Sequence, residues 1–138
     1  MKMKQILLIV VVFVAVYACN TQKSLNVKKS DDTAVEDSTE YEVETFDGQF
    51  ESWYEYHNRP ATYKSQGYYE SWNRQYVTAW NAKCASGGRN WHFEPVVGYE
   101  PGEDYGFELN HKLFYYFMYV ENVLGITIVP AGPRFSEI

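Results

Sequence analysis

From Ile6 to Ala18 no side chain is polar except the Tyr17 hydroxyl, and Lys2 and Lys4 stand just before this run. A helix of that length rises about 20 Å, short of the roughly 30 Å hydrocarbon core of a bilayer, so the run reads as the apolar part of a secretory leader rather than a permanent span. It stops at Val16-Tyr17-Ala18-Cys19: an aliphatic residue, a larger one, a small one, then a thiol. Asn20 to Glu44 has few large apolar side chains, and its lysines (Lys23, Lys28, Lys29) precede its acids (Asp31, Asp32, Glu36, Asp37, Glu40, Glu42, Glu44). Such a stretch buries too little to offset its ordering entropy, so a flexible, disordered acidic tether is expected over 19–40.

Periodicity begins at Tyr41. Tyr41 to Phe46 alternates large and polar residues and predicts a half-buried strand with Tyr41, Val43 and Thr45 on one face. Asp47-Gly48 offers a helix start, and Gln49 to His57 makes a short helix with Phe50, Trp53 and Tyr54 inward. Ser65 caps a second helix that reaches Ala85 and stops at Gly87-Gly88; Tyr69, Trp72, Tyr76 and Trp80 share one face. Residues 89–104 carry Pro95, Gly98, Pro101 and Gly102 and read as loop. A third helix, starting at Glu103 or Asp104 and reaching Leu124 before Gly125, has an apolar arc wide enough to touch neighbours on two sides. Ile126 to Val129 is a short strand candidate before Pro130, and it and Tyr41 to Phe46 each need a partner. The expected fold is α+β and mainly helical: three helices with a small two-stranded sheet formed by the N- and C-terminal strands of one domain over 41–138.

Composition sharpens this picture in two ways. A domain near 100 residues buries only about two-thirds of its unfolded surface, so large side chains must fill the core, and 18% of the chain is aromatic. The net charge of -6, which becomes more negative by two when Lys2 and Lys4 leave with the leader, speaks against nucleic acid as a partner, because a phosphate backbone needs a basic stripe. Cys84, on the apolar side of the second helix, reads as a buried small hydrophobe.

The run Val16-Tyr17-Ala18-Cys19 resembles the lipobox of bacterial lipoproteins, with Tyr17 larger than the usual occupant. That resemblance implies signal peptidase cleavage after Ala18 and attachment of lipid at Cys19, with palmitate or a similar chain able to join the freed amine. Two or three long chains, at about 0.8 kcal/mol per buried methylene, anchor a protein stably where one does not. Residues 1–18 are then a leader and 19–40 the lipidated tether. Tyr63-Lys64-Ser65-Gln66-Gly67-Tyr68-Tyr69-Glu70-Ser71-Trp72-Asn73-Arg74-Gln75-Tyr76-Val77, Trp80-Asn81, Asp104-Tyr105-Gly106-Phe107-Glu108-Leu109-Asn110 and Tyr115-Tyr116-Phe117 resemble a family of short Bacteroidetes lipoproteins carrying a domain of unknown function. The resemblance implies a cell-envelope protein of the outer membrane and assigns no activity. Acidic tethers of this kind also resemble surface-export signals, although Ser30-Asp31-Asp32 begins eleven residues beyond Cys19.

Candidate chemistry is sparse. His57, His92 and His111 are far apart, and His92-Phe93-Glu94 lacks a third ligand, so no metal and no cofactor are expected. There is no Gly-x-Ser-x-Gly, and no catalytic residue is assigned. Glu94, Glu100, Glu103, Asp104 and Glu108 gather near Trp91, Phe93, Tyr99 and Tyr105, and paired carboxyls beside aromatic rings are what glycan chemistry uses. Acids before a helix more commonly cap it and complement its dipole. The expected function is a membrane-anchored envelope lipoprotein with a binding or structural domain rather than an enzyme. The alternative is a glycan-binding or glycan-hydrolysing loop over 91–108, with Trp91, Tyr99, Glu103 and Asp104 as candidate binding residues.

Overall fold

A computed structural model describes residues 25–29, 41–45, 47–87, 93–95 and 98–137. Strands β1 (Leu25–Lys29) and β2 (Tyr41–Thr45) are followed by helices α1 (Gly48–His57), α2 (Gln66–Ala85) and α3 (Gly106–Asn122), with 3-10 turns at Ala61–Tyr63 and Phe135–Glu137. The fold is α+β and mainly helical, with the three helices the sequence predicts.

The first two helices begin where a side chain meets their first free amides. The Asp47 carboxylate accepts from the Gln49 N–H at 3.1 Å, and the Ser65 hydroxyl accepts from the Tyr68 N–H at 3.2 Å. The start of α3 falls later than expected. Asp104 accepts from the Gly106 N–H at 3.0 Å, and Gly106, at φ +73°, turns the chain into the helix. At the far end Leu124 N–H donates to the Tyr119 carbonyl and Ile126 N–H to the Val120 carbonyl, closing α3 around Gly125 at φ +68°.

The sheet has a different composition from the one expected. β2 pairs antiparallel with β1, in the register Leu25↔Thr45, Val27↔Val43 and Lys29↔Tyr41, and not with Ile126 to Val129. The C-terminal segment needs no strand, because both Ile128 N–H and Val129 N–H donate to the Glu121 carboxylate at 2.8 Å. The expectation of an unstructured tether is corrected over Leu25–Lys29 for the same reason read in reverse: β2 needs a partner, and Leu25 and Val27 alternate onto the core face, Leu25 with no exposed surface.

The core is built around α3, which packs against α1, α2 and β2. Eleven of its residues are buried, including the run Leu113 to Val120. Tyr76 stacks on Phe117 and Phe50 meets Tyr116 edge-on, so aromatic rings carry most of the contact between helices. Several tyrosine hydroxyls end inside the protein and are paired there. Tyr76 donates to Glu121 at 2.9 Å, and Tyr105 donates to the Gly98 carbonyl at 2.6 Å while accepting from the Glu100 N–H. Burial and the adjacent Glu121 push the Tyr76 hydroxyl far above its ordinary range, so it stays a donor.

Candidate functional site

A groove of about 410 Å³ opens where β2, α1 and α3 meet. Tyr41, Glu42 and Val43 form one wall, Tyr54 a second, and Glu108, Leu109 and Lys112 the third. Strand alternation points Val43 into the core and leaves Glu42 exposed, while Leu109 lies on the buried side of α3. Lys112 pairs with Glu51 at 3.1 Å, and Glu51 also accepts from the Thr45 hydroxyl at 3.0 Å, tying β2, α1 and α3 together along the rim. With the Lys112 charge held by Glu51, the Glu42 and Glu108 carboxylates leave the groove acidic.

A part-buried polar pair reaches inward from the Tyr54 wall. The Tyr54 hydroxyl is 2.8 Å from Nδ1 of His111, whose ring is packed among Tyr54, Tyr69 and Tyr115. His111 is 2% exposed, and its Nε2 is buried without a hydrogen bond. Burial pushes the imidazole down from 6.5 to about 4, opposed in part by the Arg59 backbone, so at neutral pH the ring is uncharged. Burial first, and then the negative Glu108, push the Tyr54 hydroxyl well above its ordinary value. A phenol held protonated and a neutral, enclosed imidazole supply hydrogen bonds rather than a base or a nucleophile. The groove is chemically suited to holding a neutral or cationic polar group.

A second polar cluster lies across α2 and α3. Asn73 Nδ2 donates to the Asn110 carbonyl at 2.9 Å and to Asn110 Oδ1 at 3.1 Å, Tyr99 donates to the same Oδ1 at 2.9 Å, and Asn110 Nδ2 donates to the Gly106 carbonyl. Both asparagines are wholly buried, and their role is structural.

Among the described residues, those that sequence reasoning singled out do not assemble into a site. Cys19, Ala18, Trp91 and His92 lie outside the described residues. Tyr99 is 8% exposed and stacks on Tyr105 with centroids 4.8 Å apart, so its faces are spent inside the protein. Phe93 and Tyr105 are also buried. Glu103 is exposed, and Asp104 accepts from Gln66 at 2.7 Å besides fixing Gly106, which joins the starts of α2 and α3. Cys84 donates to the Phe93 carbonyl at 3.2 Å and packs against the core. Among the described residues no group of three His, Cys, Asp or Glu side chains is placed to hold a metal.

Sequence reasoning missed Tyr54, Glu42, Lys112 and His111 as neighbours. Tyr54 and His111 are 57 positions apart, and no local spacing links them. A usable signal was His111 itself, a polar residue beside Asn110 inside the apolar arc of α3.

A family model described as a family of unknown function, DUF6146, matches residues 6–130. The chain belongs to that family. No curated protein and no solved structure matches it. The DUF6146 match opens inside the apolar run that begins at Ile6 and extends through Cys19 to the end of the C-terminal segment at Pro130.

Proposed function

We propose that this DUF6146 protein is a cell-envelope lipoprotein, held on the outer membrane by acyl chains on Cys19, whose domain is a non-enzymatic binding or structural module. The observation that carries the reading is the short apolar run ending at Ala18-Cys19, which lies within the stretch matched by the family. Among the described residues no helix is long and apolar enough to cross a membrane. The binding role belongs to the groove between β2, α1 and α3, where the Tyr54 hydroxyl is held against His111 and Glu42 and Glu108 favour a polar, cationic group. The glycan alternative over 91–108 has less support, since Phe93, Tyr99 and Tyr105 are buried and give no stacking platform.

The anchor is tested by metabolic labelling with fatty acid. The wild-type protein takes up label and its mature N-terminus is Cys19; Cys19→Ala takes up none. A wild type that takes up no fatty acid and starts at another residue defeats the reading.

A further inference from the structure

β1 alters the distance between the domain and whatever Cys19 is attached to. Leu25 and Val27 are buried, and the strand is held on one side by β2. Elsewhere Gly98 comes so close that a Cβ there would lie 2.5 Å from the Val27 carbonyl oxygen. Leu25–Lys29 is therefore part of the folded domain. Six Cα-to-Cα steps separate Cys19 from Leu25. At full extension they reach about 20 Å.

A domain beginning at Tyr41 would hang on 22 steps, able to reach about 75 Å when extended and averaging about 25 Å as a coil. Residues 30–40 add nothing to this leash, because Lys29 and Tyr41 are register partners and hold both ends together. The paired end of the two strands, Lys29 with Tyr41, lies about 14 Å along the strand from Leu25.

Resting on the lipid-anchor reading above, we infer that β1 is an anchor strand, which holds the Leu25 edge of the domain within about 20 Å of the membrane surface that the Cys19 acyl chains enter. The domain then works on partners at that same membrane surface. The Leu25 edge, where β1 meets Thr45 and the start of α1 follows, is the part of the domain nearest the lipid.

The test uses the full lipidated chain in phosphatidylethanolamine and phosphatidylglycerol vesicles containing a dansyl-headgroup lipid, with the native tryptophans as energy donors. One flexible Gly/Ser segment of about fifteen residues is inserted either between Ser24 and Leu25 or between Val35 and Glu36. The first insertion lengthens the leash and lowers transfer severalfold. The second leaves transfer unchanged, since lengthening a closed connection adds only a logarithmic entropy cost and both ends stay paired. Five-residue versions, about a third as long, give a smaller fall at the first site and none at the second, and guard against an insert that disturbs folding. Equal falls at both sites overturn the proposal, because β1 is then not holding the chain. No fall at either site overturns it too, because the leash is then not what sets the distance. A wild type that takes up no fatty acid and does not bind vesicles defeats the lipid-anchor reading itself, before the insertions are compared.

Discussion

Acidification should destabilise the protein through His111. The ring is 2% exposed, and burial lowers its pKa from 6.5 to about 4, so between those values the unfolded chain binds a proton that the folded chain refuses. Stability contributed by the neutral ring is complete above about pH 6.5 and is lost as pH falls towards about 4. Each pH unit in that window is worth about 1.4 kcal/mol, so the full span carries about 3 kcal/mol, a sizeable part of the 5–15 kcal/mol roughly typical of a domain. Urea unfolding of the chain from residue 19 onward with Cys19→Ala, followed by tryptophan fluorescence across this range, measures the loss. His111→Gln provides the reference: its amide can still accept from Tyr54 and does not titrate, while every carboxylate is common to both proteins. The difference in unfolding free energy between the two should shrink by about 3 kcal/mol on acidification. Curves that run parallel from neutral pH to pH 4 would mean that His111 charges as easily in the folded protein as in the unfolded one, and the argument from burial would fail.

Three further outcomes are expected. Leu25→Ala should cost about 2–5 kcal/mol in equilibrium unfolding, as a core truncation does, whereas a residue on a free tether would cost nothing measurable. Asn73→Ala removes two donations to Asn110 and should lower stability by about 1–3 kcal/mol, with the Tyr99 to Asn110 bond left in place. Glu121→Ala leaves the Tyr76 hydroxyl and the Ile128 and Val129 N–H groups without their acceptor, and a loss of about 2–3 kcal/mol should appear as a lower thermal midpoint.

Much of the helical frame was legible because its signals are local. Ser65 before a run with Tyr69, Tyr76 and Trp80 on one face defines α2, and Asp47 with Phe50 defines the start of α1. Asn73 and Asn110 are polar residues within the apolar faces of α2 and α3, and the structure gives both partners. The start of α3 was misplaced by its acids. Asp104 bonds Gly106 and Gln66 instead of opening the helix, a role that depends on α2 lying nearby. β1 left a faint trace, Leu25 and Val27 alternating with Asn26 and Lys28, which the surrounding charges outweighed.

By itself the sequence determined the periodic elements and their caps, the aromatic character of the core, and the short apolar run that ends at Cys19. These depend on residues within a few positions of one another, where backbone geometry fixes which side chains share a face. Tertiary structure decided which strand β2 pairs with, that the Tyr99 ring is buried, and that Tyr54, in the wall of a groove bounded by Glu42, Glu108 and Lys112, meets His111. Ile126 to Val129 offered the stronger local strand signal, yet Leu25 to Lys29 is the segment that pairs with β2. Glu121, one helix turn from the chain's exit out of α3, met the backbone demand of the first and left β2 to the second.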